Sequence, residues 1–382
     1  MERVYISLWA FGLLASQAVE AAGDGKNIPQ MIVLCNIYKQ GVSMKQLSNV
    51  TPGPEEPKIL SELEKMNMST LDEAAWGLLR TEEYNEADWK AKKEEFSKKT
   101  VSIDRGELSF KRLHIKETAK LANRKINRAR LAAIGLKSLL DQEREAVNRN
   151  IVEAQRYMNE ALYGDGKLAE DDDTFADKRA DGCGSHDTAA TPGKDSGKSL
   201  LNDLVCLCAQ GGGDRNGSQG SQPDGLACAG KISAITPSWY SSSVSKQKAR
   251  AAWTQGIKPL CEKLKTVPAT AALLRKNLDR YLAFVSGAAQ QLASGGFVVG
   301  LSQSNNGICA AGHADAACVA YKAKQDGIEP EIPWVQKAEL AVDKLERVEA
   351  GRQKLEKLDE QLRVVNRQAW NIYEDLENDE TT

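Results

Sequence analysis

Eight cysteines carry the clearest chemistry in this chain: Cys35, Cys183, Cys206, Cys208, Cys228, Cys261, Cys309 and Cys318. An even set is a disulfide framework in an oxidising compartment and something else in a reducing one. The first residues decide between them. In MERVYISLWAFGLLASQAVEAA, Arg3 supplies the positive end, Val4 to Ala15 is mostly apolar, and Val19-Glu20-Ala21 offers a small-residue cleavage site before Ala22. The apolar core is too short for a bilayer of about 30 Å, so residues 1–21 read as a cleaved secretory signal. The cysteines then form disulfides, in one of about a hundred pairings. A glycine-rich turn separates Cys309 from Cys318, which favours that pair. Cys206 and Cys208 are too close to bridge each other, because a disulfide holds its Cα atoms about 5.5 Å apart. Each reaches a different partner. A metal is not expected, since CxC is not a CxxC knuckle and no histidine stands at ligand spacing.

Catalytic patterns fail one by one. Pro192-Gly-Lys-Asp-Ser-Gly-Lys-Ser199 resembles a phosphate-binding loop, but proline stands where the first glycine belongs and no strand precedes it. It reads as a surface loop. There is no GxSxG, and His114, His186 and His313 lie in separate parts of the chain. Glu170-Asp-Asp-Asp173 lacks the alternate spacing and glycine of a calcium loop and reads as a solvated acidic stretch. No catalytic, cofactor or metal residue is assigned. A net charge of −2 without a basic stripe excludes nucleic acid as the evident partner. Asn49-Val50-Thr51, Asn67-Met68-Ser69 and Asn216-Gly217-Ser218 are candidate N-glycosylation sites in a secreted chain. Pro52 follows the first directly.

The elements that position these residues are mainly helical. From Leu355 the apolar positions Leu358, Leu362, Val365, Ala369, Ile372 and Leu376 alternate steps of three and four, the seam of one helix packed on another. The run Pro333 to Asn378 contains no later proline and predicts a helix of about 70 Å. A second seam between Glu107 and Tyr163 runs through Ile115, Ala119, Ala122, Ile126, Ala129, Ala133, Leu136, Leu140, Val147, Ile151, Ala154 and Met158. Two matched seams predict an elongated antiparallel hairpin of long helices. Leu139, Val364 and Trp370 fall off the seams, and exposed apolar area of that kind predicts a homodimer along the hairpin.

Around it, Ile28 to Met44 predicts a short apolar helix. A loop follows where Pro52, Pro54 and Pro57 forbid regular helix. Helix returns from Leu71, with Trp76, Leu79 and Trp89 as packing anchors. Glycine and serine are dense from Gly164 to Pro237, which predicts a disulfide-stapled lobe resistant to helix. Helices are expected at Ser243 to Leu264 and Pro268 to Ala293, and a second loop at Ser294 to Pro330.

The early LCNIYK helix, the NDLVCLC segment entering glycine-rich loops, and GICAAGHADAACVAYK followed by IPWVQKAELA resemble the N-terminal domain of trypanosome variant surface glycoproteins. The cysteine layout is most similar to their class B type. The likeness makes residues 22–382 one such domain, with lobe loops at about 164–237 and 294–330. It implies an elongated homodimer, a glycosylphosphatidylinositol (GPI) anchor to the outer face of the plasma membrane, a dense coat exposed to host antibodies, and antigenic variation. The family pattern continues into a small cysteine-rich C-terminal domain and an apolar tail, both absent before Thr382, so the anchor rests on the resemblance alone. Two functions fit the scaffold: a non-enzymatic coat glycoprotein, or a surface receptor for a host macromolecule such as transferrin or haptoglobin–haemoglobin. The bland Gly/Ser segment between Cys208 and Cys228 favours the coat, because binding hot spots favour Trp, Tyr and Arg.

Overall fold

The structure is a computed structural model that describes residues 27–102, 105–113, 117–184, 191–209, 228, 246–287, 296–301, 309 and 317–381. The fold is mainly α, and the chain divides into two units.

One unit comprises residues 39–161, 266–278 and 335–382. It is built on two long helices, α5 (Glu117–Tyr163) and α11 (Pro333–Thr381), of which most residues lie here. Lys337 pairs with Glu160, Lys344 with Glu153 and Lys354 with Glu143, so the helices run antiparallel. The seam residues Ala122, Ile126, Ala133, Leu140, Val147 and Ile151 meet Val348, Leu355, Leu358, Leu362, Ala369 and Leu376 in one apolar core. At Gly351 the helices come so close that a Cβ would lie 2.4 Å from Val147 Cγ2. The stretch from Glu107 to Tyr163 that holds the second seam is not helical from its start: Gly106–Leu108 is a strand (β2) paired with Thr100–Ser102 (β1), and Glu107 lies within it.

A third helix, α2 (Glu55–Ser69), packs on the pair, with Ile59, Leu63 and Met66 inside the same core. The proline-rich stretch does not forbid it, because Pro57 occupies the first turn, where no N–H is required. Glu62 of α2 is buried and accepts from Trp370 Nε1 at 2.8 Å and Asn366 Nδ2 at 2.9 Å. Trp370 is therefore covered by its own chain and is not a residue left over for a partner. Its ring also meets Phe110 and Tyr373. Short helices α3 (Glu73–Gly77) and α4 (Glu86–Phe96) bring Trp76, Trp89 and Phe96 into edge-to-face contact. Leu79 is no anchor: it is 73% exposed.

The other unit comprises residues 1–38, 162–265 and 279–334. Helix α1 (Ile28–Met44) begins here, as its apolar run predicts. Two short helices, α6 (Arg179–Cys183) and α7 (Leu200–Cys208), form inside the glycine-rich stretch expected to resist helix. The expected helix at 243–264 is realised as α8 (Lys246–Ala251), a π-helical turn (Ala252–Ile257) and α9 (Lys258–Lys263). Pro259 has no N–H to offer Gln255, and the wider turn accommodates that loss. Helix α10 (Ala271–Gly287) begins in the first unit and ends in this one.

The expected loop at 294–330 contains an antiparallel sheet of β3 (Gly296–Leu301), β4 (Ala317–Ala323) and β5 (Pro330–Glu331). Gly300 opposes Cys318 with φ of 100°, and a side chain there would meet the Ala317 carbonyl.

Candidate functional site

The chemistry-bearing residues gather on α7 and its neighbours. All nine residues of LLNDLVCLC are buried, and Ser199 caps the helix by accepting from Asn202 N at 3.1 Å. Asp203 lies within this apolar helix. Its Oδ2 accepts from Tyr321 Oη at 2.6 Å and Trp334 Nε1 at 2.7 Å, and its Oδ1 from Gly197 N at 3.1 Å. Tyr321 uses its single proton on the carboxylate, so Tyr281 Oη donates to Tyr321 across 2.5 Å. Burial pushes the Asp203 carboxyl up to about 6, while its hydrogen bonds pull the other way. Tyr281 and Tyr321 are held well above the ordinary phenol range by burial and by the Asp203 charge.

The phosphate-loop lookalike supplies part of this arrangement. Gly193, Gly197 and Ser199 are buried on its inner side, while Lys194 is exposed, as a surface loop allows. Gly197 has φ of 74°, and a Cβ there would lie 2.9 Å from Pro333 Cδ. One amide of the loop, Gly197 N, serves the Asp203 carboxylate, while Gly193 N donates to Ser196 Oγ.

Two of the four disulfides start from the same helix. Cys206 bonds Cys183 and Cys208 bonds Cys228, with Cα separations of 5.4 and 4.9 Å. Cys309 bonds Cys318 on β4, and Cys35 of α1 bonds Cys261 of α9. Arg179 is fully buried, and its guanidinium donates to the carbonyls of Ala209, Cys206 and Cys309 at 2.7, 3.4 and 3.3 Å. One cation thus orients the backbone beside two different bridges. Asn27 Nδ2 likewise ties Leu207 to Ala317. Sequence reasoning missed Arg179, Asp203 and Asn27. The signal available for Asp203 was a charge inside an otherwise apolar helix, since such charges are buried only when well partnered.

The acidic run is paired and not merely solvated: Lys258 meets Glu170, Lys167 meets Asp171, Arg250 meets Asp172 and Lys246 meets Asp173. Among the described residues no cluster of His, Cys, Asp and Glu could hold a metal ion. Asn49 is exposed in the loop after α1, while Asn148 grips the next residue through Val50 N and O. Asn67 is half-buried on α2, and Ser69 of its sequon is fully buried. Asn216, His114, His186 and His313 lie outside the described residues. Among the described residues, no helix is long and apolar enough to cross a membrane.

Compared with known protein families, residues 10–364 match the family described as the trypanosomal VSG domain, VSG_B. The chain belongs to that family. The resemblance carried by the cysteine order and the helix pattern is thereby established over most of its length. No curated protein matches the chain. A VSG domain is a structural component of a surface coat glycoprotein, and the network of Asp203, Arg179 and the four bridges is accordingly a device for holding loops in place.

Proposed function

We propose that this VSG domain is a variable coat glycoprotein of the trypanosome surface, presenting its loops to host antibodies and serving antigenic variation and immune evasion. The observation that carries the reading is the family match across residues 10–364. The physical design agrees with it. A buried scaffold of paired helices and cross-linked loops leaves the solvent-facing residues few structural duties, so they can change while the fold persists.

In this reading the first 21 residues are removed on secretion, and the mature protein is held at the outer face of the plasma membrane by a GPI anchor. Asn49, exposed beside the gripped Val50 backbone, is the sequon we assign to a glycan. The protein works as a homodimer. Exposed apolar residues on α5, among them Leu131, Leu139 and Val152, offer the surface for it, since Trp370 is already covered. The family match supports the coat reading and lends no support to a receptor.

Antibody to the folded domain, applied to intact cells and followed by phosphatidylinositol-specific phospholipase C, tests the proposal. The expected result is uniform surface labelling that the enzyme releases. Labelling confined to permeabilised cells, or to one pocket of the surface, would overturn it.

A further inference from the structure

A groove of about 370 Å³ opens in the long-helix unit between α2, α4 and α5. That volume falls in the range of small-molecule sites, roughly 300–1,000 Å³. Its apolar walls include Leu60, Met68, Phe96 and Ile134, and its charged lining includes Glu64, Lys65, Lys92, Glu95 and Arg130.

The charges are not balanced among themselves. Glu64 is taken by Arg130 at 3.3 Å and by the Tyr84 hydroxyl at 3.1 Å, and Arg130 also binds Glu83. Glu95 pairs with Lys98 at 3.1 Å. Lys65 and Lys92 have no carboxylate within 4.0 Å among the described residues. Lys92 lies 5.5 Å from the Tyr84 ring centre. Lys65 is only 2% exposed, and its Nζ donates to a single backbone carbonyl, that of Lys98, at 2.7 Å. An ammonium has three donors, and a buried lysine is ordinarily ion-paired. Burial lowers the pKa of Lys65 and the Lys98 charge adds to it, while the charge of Glu95 acts the other way without reaching ion-pair distance.

We propose that this groove binds a small organic anion with an apolar body, its acid group at Lys65 and Lys92 and its hydrocarbon along Leu60, Met68 and Ile134. The acid group supplies a carboxylate in direct contact with Lys65, which Glu95 does not, and the hydrocarbon covers Ile134, which is 46% exposed. A cationic amphiphile of the same length meets the wrong sign, because both acids in the lining already have partners.

Calorimetric titration of the full chain with decanoate tests this, with decyltrimethylammonium as the matched cation. Saturable binding of one decanoate per chain, with little or none of the cation, is expected. Lys65→Met keeps the stem and removes the charge, and should weaken decanoate about tenfold or more, the value of a charge-assisted hydrogen bond. Should that variant fail to fold, Ile134→Glu serves instead, because its position is exposed and its carboxylate would repel the ligand. Equal binding of both amphiphiles, binding unchanged in a folded variant, or no saturable binding by the parent overturns the site.

Discussion

Asp203 shows how one side chain makes stability depend on pH. Its carboxyl is pushed up to about 6 in the folded protein, against 3.8 for the ordinary group. The folded state therefore holds a proton that the unfolded state releases between those values. The stabilisation from that proton is full below about pH 4 and is lost as pH rises through about 6. For a fully buried group the swing is up to about 3 kcal/mol. Asp203→Asn removes it. An amide must also present N–H groups to the donors of Gly197 or of Tyr321 and Trp334, which costs about 1–3 kcal/mol. Urea unfolding of both proteins from pH 4 to pH 8 should show the parent losing stability relative to the variant as pH rises through about 6. Parallel curves would show that Asp203 does not titrate there. None of these partners was legible in the sequence, because Gly197, Tyr321 and Trp334 reach Asp203 only through the fold. The lone acid among LLNDLVCLC was the one visible hint.

At the scale of elements, the long helices were legible because their apolar seams repeat for dozens of residues. The sheet was not: GFVVGL and ACVAYKA are short apolar runs beside glycine and cysteine, which a buried loop or helix matches as well. Pro57 misled for a different reason, since the same residue that breaks a helix interior is tolerated in a first turn. What the seams do not reveal is how closely the helices approach. Gly351 marks that point. Replacing it with alanine gains up to about 1 kcal/mol of helix propensity, but the new methyl meets Val147 Cγ2, and overpacking costs about 1–3 kcal/mol. Gly351→Ala should lower the stability measured by denaturant unfolding. Adding Val147→Ala should restore part of the loss, giving a coupled double-mutant cycle. Additive effects would mean the helices part freely at this crossing.

At the scale of the whole molecule, the proposed homodimer and the cross-links make separate predictions. Leu131→Glu combined with Leu139→Glu touches only exposed positions of α5. The parent should sediment as a dimer at micromolar concentration and this variant as a folded monomer. A variant that still sediments as a dimer moves the interface elsewhere. Cys35 and Cys261, 226 residues apart, close the longest loop of the four. Replacing both by serine should cost about 2–5 kcal/mol in denaturant unfolding, a loss typical of a native bridge. An unchanged midpoint would show that packing alone holds those segments.

The same separation sets a timetable during synthesis. At about 5–20 residues per second, Cys261 emerges some 10–45 s after Cys35. Cys183, Cys206, Cys208 and Cys228 all appear within that interval, and the first and third of them can close with nearby partners 23 and 20 residues downstream. The nascent chain thus carries a waiting thiol past four competitors. Chains stalled before residue 261 should be alkylated at Cys35, with Cys183 to Cys228 already protected. Protection of Cys35 at that stage would mean that its final bond is reached by exchange from an earlier, non-native one.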